Sequence, residues 1–250
     1  MPADVVELRE FYSSPLGITA RRLLRTHIGR LWPQPRGDKM AALGYGVPLL
    51  RPMMEQGAEL IALMPAEQGV AYWPQEGQNI SCFIDTRDLP LADQSLDRVV
   101  VMHAMEALAE PRAILPELWR VLKSNGRVIV IVPNRRGLWA HIDATPFGTG
   151  EPYSRAQITK ALCDHGFQID SVGHALYMPP SSSRWALSLA DKFEKYGSRL
   201  FPGLGGVIII EASKQLYAPI LPTRRVAQRR FVLPLPSLPV SDGLPARVRA

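Results

Sequence analysis

Residues 85–134 read DTRDLPLADQSLDRVVVMHAMEALAEPRAILPELWRVLKSNGRVIVIVPN, and this stretch decides the fold. Val99-Val100-Val101-Met102 is an unbroken apolar run between polar neighbours, and Val128-Ile129-Val130-Ile131-Val132 is a second, closed by Pro133. Strands that are apolar at every position, not at alternate ones, are covered on both faces, as in a parallel sheet between helical layers. Between the runs, Ile114, Leu115, Leu118, Val121 and Leu122 recur at three- and four-residue spacing, which predicts an amphipathic helix. Asn125-Gly126 is expected to end that helix, because either residue takes the left-handed conformation a C-cap needs. The stretch is a βαβ unit.

Upstream, Met40-Ala41-Ala42-Leu43, Leu60-Ile61-Ala62-Leu63-Met64 and Ile80-Ser81-Cys82-Phe83-Ile84 read as three more strands. The first meets a glycine turn, Gly44-Tyr45-Gly46, before a helix over about 49–56; residues 65–79, with two prolines and two glycines, predict a long loop. A glycine turn between strand and helix lets the backbone approach a ligand and aims helix N–H groups at it. Downstream, Tyr153-Ser154-Arg155 starts a helix and Gly166-Phe167 opens a sixth strand. Residues 181–200 read as one amphipathic helix packing through Trp185, Leu187, Leu189 and Phe193, and Val207-Ile208-Ile209-Ile210 is a seventh strand. The result is an α/β fold: a Rossmann-like, mostly parallel seven-stranded sheet with helices on both faces. Ligands of such sheets bind beyond the carboxyl ends of the strands, which places Gly44, Tyr45, Gly46, Met64, Asp85, His103 and Asn134 around one crevice.

The chain divides into an N-terminal helical extension (1–36), the α/β domain (37–220) and a Pro/Arg-rich tail (221–250). In the extension, Val5, Val6, Leu8 and Phe11 fit a short helix, and Ser13-Ser14-Pro15 caps a second. Ile18, Leu23, Leu24 and Ile28 give the second helix an apolar side, while Arg21, Arg22, Arg25 and Arg30 give it a basic one. The net charge of +6 is unevenly placed: the tail carries six arginines against Asp242 alone, so the remainder is nearly neutral. That disfavours a nucleic-acid-binding face on the folded part and leaves the basic helix and the tail as expected protein-partner surfaces. No apolar run reaches the ~18–20 residues of a membrane span. Cys82 and Cys163 read as reduced packing residues, and with no secretory signal visible a cytoplasmic location is expected.

Residues 89–100, LPLADQSLDRVV, resemble the LPF-x-D-x-SFD-x-V segment of class I S-adenosylmethionine (SAM)-dependent methyltransferases, of the methyltransferase type 11 kind. Glu117 to Arg127, ELWRVLKSNGR, resembles their E-x-x-RVLKPGG-R segment, and Val132-Pro133-Asn134 follows as it does there. The resemblance covers roughly residues 38–215. It implies a sheet whose last strand is antiparallel, SAM as cofactor, and methyl transfer to an unassigned acceptor. By that likeness Gly44 and Gly46 match the glycine motif, Asp85 with Thr86 the adenine side, and His103 the methionine side. The motif is degenerate: Ala42 stands for its acid, Pro48 for its third glycine, and Met64 for the carboxylate that holds the ribose, with Glu67 three residues further along. A charged hydrogen bond contributes roughly 1.5–3 kcal/mol, so that last loss weakens SAM binding by about one to two decades. The alternative is a methyltransferase-like pseudoenzyme that has lost SAM and serves as a binding or regulatory partner. A nicotinamide oxidoreductase would need a fingerprint glycine where Leu49 stands and a ribose acid where Met64 stands. No metal site and no fixed catalytic motif is read. His141, Asp143 and Tyr153 are candidates if a base is needed, against the plainer reading of each as a locally bonded loop residue.

Overall fold

The computed structural model describes residues 3–108 and 110–215. The tail over 221–250, and the partner role expected of it, lie outside the described residues.

The chain opens with two helices. Asp4 caps α1 (Val5–Ser13) by accepting from Val6 and Glu7 N–H, and Ser14 caps α2 (Pro15–Leu31) by accepting from Gly17 N–H. Pro15 sits at the start of α2, where its missing N–H costs nothing. Seven strands follow: β1 (Lys39–Gly44), β2 (Glu59–Pro65), β3 (Ser81–Ile84), β4 (Leu96–Met102), β5 (Leu122–Pro133), β6 (Phe167–Ala175) and β7 (Val207–Lys214). Their spatial order is β3-β2-β1-β4-β5-β7-β6, parallel throughout except for β7, which runs antiparallel to both neighbours. This is the mixed seven-stranded sheet that the resemblance implies.

Side chains of the central strands alternate between two cores. Val100, Met102, Ile129 and Ile131 pack under α1, α2 and α3 (Val47–Glu55), together with Leu8, Tyr12, Leu24 and Ile28. Val99, Val101, Val128, Val130 and Val132 pack under α4 (Ile114–Val121) and α5 (Arg155–Asp164). Complete burial of both sets explains the unbroken apolar runs. The N-terminal helices thus share a core with the sheet. Ile18 is the exception to the apolar side expected of α2: it is exposed.

Three local readings change. α4 stops at Val121, Leu122 is already extended, and β5 begins there. Asn125 does take a left-handed φ of 63°, but within β5, where it lets the early part of the strand bend, and not as a helix cap. The helix expected over 181–200 is two, α6 (Arg184–Ser188) and α7 (Ala190–Leu200), broken at Leu189. Ala186 and Ala190 are the buried residues there, and Trp185 is exposed, because the short α6 turns its small side chains inward. Cys82 is half-buried and Cys163 exposed; both are free, so Cys163 is not a packing residue.

The 89–100 segment is held by one arginine. Arg120 donates to the Leu89 and Leu91 carbonyls, to Asp93, and through two nitrogens to Glu117, whose carboxylate also accepts from Leu89 N–H. Hydrogen bonding from Arg120 holds the Glu117 carboxyl below its ordinary range, although burial pushes the other way. A depressed acid contributes stability above its unfolded pKa and loses it as pH falls through the lower folded value. Glu117→Gln should therefore flatten the acid side of the stability curve below about pH 4.3, measured by urea midpoints against pH.

Candidate functional site

The carboxyl ends of β1, β2, β3 and β4 meet in one region, divided into an open half and a filled half. The open half lies beyond β2 and β3. A cavity of about 440 Å³ there is lined by Pro65, Ala66, Glu67, Phe83, Asp85, Thr86, Arg87 and Glu110, among others. Asp85 is exposed, and one of its oxygens accepts from Arg87 N–H at 2.9 Å, which fixes the turn after β3. Phe83 on the edge strand leaves 59% of its surface open beside it. Glu67, three residues past Met64, stands on the same wall as Asp85. Met64 faces the core instead: it is buried, and its sulfur accepts from Ala71 N–H at 3.2 Å as the loop folds back over the end of β2.

The filled half lies beyond β1 and β4. Gly44 has φ 73°, and any Cβ on it would overlap the carbonyl oxygen of Met102 at the end of the paired strand. Tyr45 N–H donates to that same carbonyl at 2.9 Å. Gly46 caps α3 with an ordinary φ of −86°, and a Cβ there would make only normal contacts with Ala42 and Val100. The first turn of α3 contains Pro48, which offers no N–H, and the Pro48 carbonyl is taken by Arg25 Nε of α2.

Over this turn sits α1. The Tyr12 ring stacks on Tyr45 with centroids 5.8 Å apart, and its hydroxyl is hydrogen-bonded to His103 Nε2 at 2.8 Å. Phe147, reached from the loop after β5, lies 4.8 Å from the His103 ring and is itself met by Phe11 and Trp139. His103 is held in the left-handed region at φ 54°, and its carbonyl accepts from the side chain of buried Gln68. A non-glycine residue held there costs of order 1–3 kcal/mol, and such positions cluster at functional sites. Glu106 Oε1 lies 3.3 Å from His103 Nδ1, with both side chains 3% exposed. Neither Glu106 oxygen accepts a hydrogen bond among the described residues. What remains between Leu8, Gln68, His103, Glu106 and Thr149 is a cavity of about 10 Å³, room for about one water. Burial first, and then the Glu106 charge, push the Tyr12 hydroxyl pKa well up, so this hydroxyl stays protonated.

Of the residues singled out in the sequence, the structure puts Asp85 and Thr86 on the open cavity and Gly44, Tyr45 and His103 in the filled half. Asn134 does not join them: its side chain donates to the Gly203 and Gly205 carbonyls on the β7 side of the sheet. His141 is exposed and bonded to the Arg135 carbonyl, and Asp143 is exposed. Tyr153 donates to the Met105 carbonyl, and burial, then Glu106 and Glu151, push its pKa up to about 12. Tyr12, Gln68 and Glu106 were not foreseen; the only signal was His103 and Glu106 standing three residues apart.

A SAM molecule tests these residues half by half. The acids and open volume beyond β2 and β3 fit an adenosine moiety. The space beyond β1 and β4 does not fit a methionine moiety while Tyr12 and Leu8 occupy it.

Residues 41–130 match the family model of the methyltransferase domain. A 46-residue segment is 44% identical to the demethylmenaquinone methyltransferase of Clavibacter sepedonicus; it is 18% of this chain and spans only 19% of that protein. A SAM-dependent methyltransferase from Thermotoga maritima superposes with a TM-score of 0.60 at 16% identity, over 84% of this chain and 96% of that one. A chain of the Haloferax volcanii Trm112 methyltransferase activator complex does so with a TM-score of 0.56 at 18% identity, over 84% and 99%. The chain has the class I SAM-dependent methyltransferase fold, with a methyltransferase-type segment at its centre.

Proposed function

We propose that this protein is a SAM-dependent methyltransferase of unassigned acceptor whose cofactor crevice is closed on its methionine side by α1. The observation that carries the reading is the open cavity beyond β2 and β3, walled by Glu67, Asp85 and Thr86. It lies beyond the carboxyl ends of β2 and β3, on the side that the resemblance assigns to adenine, within the segment that matches the methyltransferase domain. In this reading Asp85 and Thr86 face the adenine, and Glu67 takes the ribose role that Met64 has vacated. Gly44, Tyr45, Gly46 and His103 form the methionine side once α1 withdraws. The acceptor has to enter by the same face, and a partner that draws α1 away would act as an activator. One structural neighbour of this fold comes from a complex with a methyltransferase activator.

A second reading is favoured by Tyr12: its ring and hydroxyl fill the methionine side as a permanent core would, as in a methyltransferase-like protein that has given up SAM and acts through a partner. Calorimetry with SAM and S-adenosylhomocysteine on the full chain separates the two. The enzyme reading expects SAM to bind and Glu67→Gln, which removes the carboxylate standing in for the one absent at Met64, to weaken binding by about one to two decades. No heat at millimolar ligand, for the wild type and for Tyr12→Ala alike, would leave the second reading standing.

A further inference from the structure

Exposed large apolar side chains are not scattered over this molecule. Half of those among the described residues (Leu138, Trp185, Tyr196, Leu200, Phe201 and Leu204) fall in one place. They line a groove of about 720 Å³ formed by α6, α7 and the turn after α7. Leu200, Phe201 and Trp185 are 68%, 58% and 59% exposed. A contiguous apolar patch on a soluble domain marks a surface that meets something.

The charges around it have one sign. Arg136, Arg184, Lys192, Lys195 and Arg199 are all exposed, and among the described residues none has a carboxylate within ion-pair distance. The two acids of α7 are both engaged elsewhere. Asp191 pairs with Arg22 of α2 at 2.7 Å, and Glu194 turns inward to accept from Leu176 and Tyr177 N–H. Gly197 is needed for α7 to lie this way, since a Cβ would run into the Tyr177 side chain. α7 is therefore anchored through Ala190, Phe193, Glu194 and Gly197, which leaves Lys192, Lys195, Tyr196, Arg199 and Leu200 facing out.

We infer that this face docks on an anionic phospholipid bilayer, with the aromatic and leucine side chains entering the headgroup boundary and the five cations meeting lipid phosphates. Apolar and aromatic side chains beside lysines and arginines, without competing acids, are the composition of helices that lie in the interface without crossing it. No helix among the described residues is long and apolar enough to span a membrane, so the attachment is peripheral. The six arginines of residues 221–250 add positive charge of the kind that anionic leaflets attract. The segment carrying α6 and α7 leaves β6 at its carboxyl end, the end of the sheet at which the crevice lies, and returns to β7. Docking would bring an acceptor carried in the membrane to that end.

The test is flotation of the full-length chain with vesicles of phosphatidylcholine alone and with roughly one-third phosphatidylglycerol. Binding is expected only with the anionic lipid, falling as salt is raised. Leu200→Glu with Phe201→Glu is expected to weaken it by at least about tenfold while the melting temperature stays within a few degrees, because both side chains are exposed. Lys192→Glu with Lys195→Glu tests the cationic rim without touching the apolar ridge. Absence of flotation with anionic vesicles, or undiminished flotation of both double variants, overturns the inference. So does sedimentation showing that the apolar double variant abolishes self-association of a chain that ignores vesicles. None of these readouts needs SAM, so they stand or fall apart from the cofactor assignment.

Discussion

Gly44→Ala should lower the melting temperature by roughly 6–12 °C, whereas Gly46→Ala, two residues on, should move it by only about 1–3 °C. Gly44 has φ 73°, a conformation that costs an L-residue roughly 1–2 kcal/mol, and its Cβ would overlap the Met102 carbonyl, which neither strand can easily move. Strain and overlap together put the loss at about 3 kcal/mol or more. At Gly46 the backbone is ordinary and a Cβ finds normal packing distances, so the fold itself does not demand glycine there. Alanine in place of glycine at a helix N-cap costs roughly 0.5–1 kcal/mol, well below the loss at Gly44. The pair therefore separates two uses of one motif: Gly44 serves the β1–β4 junction, and Gly46 is free to serve a ligand. Thermal melts of both variants, with calorimetry of Gly46→Ala against SAM, check this. A Gly44→Ala variant that melts like wild type would show that the junction relaxes, and the structural role assigned to Gly44 would be lost.

The central sheet was legible because its physics is local. Val99 to Met102 and Val128 to Val132 are apolar at every position, and in the fold each strand feeds both cores. The antiparallel last strand followed from the resemblance carried by residues 89–100 and 117–127, where Arg120 and Glu117 tie the segment together. Leu187 and Phe193 do pack, partly buried, against the core, but Trp185 does not, because the chain breaks into two helices at Leu189 and it is Ala186 and Ala190 that turn fully inward. The crevice was only half legible. Asp85 lines the crevice at the strand end, as its position in the sheet implied, with Thr86 beside it, but the residue that fills the other half, Tyr12, is 91 positions from His103. No periodicity in α1 distinguishes a tyrosine that packs from one that plugs a site. Glu67 lies three residues past Met64 in the sequence, yet the turn after β2 brings it back to the cavity wall.

Tyr12→Ala is expected to raise the affinity for SAM and S-adenosylhomocysteine by at least about tenfold over the wild type, at a cost in stability of about 3 kcal/mol or more. The two effects have one cause. Docked α1 contributes a buried ring on Tyr45, the hydroxyl bond to His103 and the packing of Leu8, and a ligand for the methionine side has to displace all of it. When the competent state is a fraction of the population, apparent affinity falls by that fraction, and about 1.4 kcal/mol of docking energy corresponds to each factor of ten. Tyr12→Phe keeps the ring and removes only the bond to His103, so it should fall between wild type and alanine. Because burial and Glu106 hold the hydroxyl protonated, Tyr12 itself does not release the helix as pH rises through the neutral range. Hydrogen exchange on α1 gives the independent readout: faster exchange should accompany tighter binding across wild type, phenylalanine and alanine. Faster exchange with no gain in affinity would mean that α1 is not what closes the site. The missing ribose carboxylate at Met64 would then be the limiting loss.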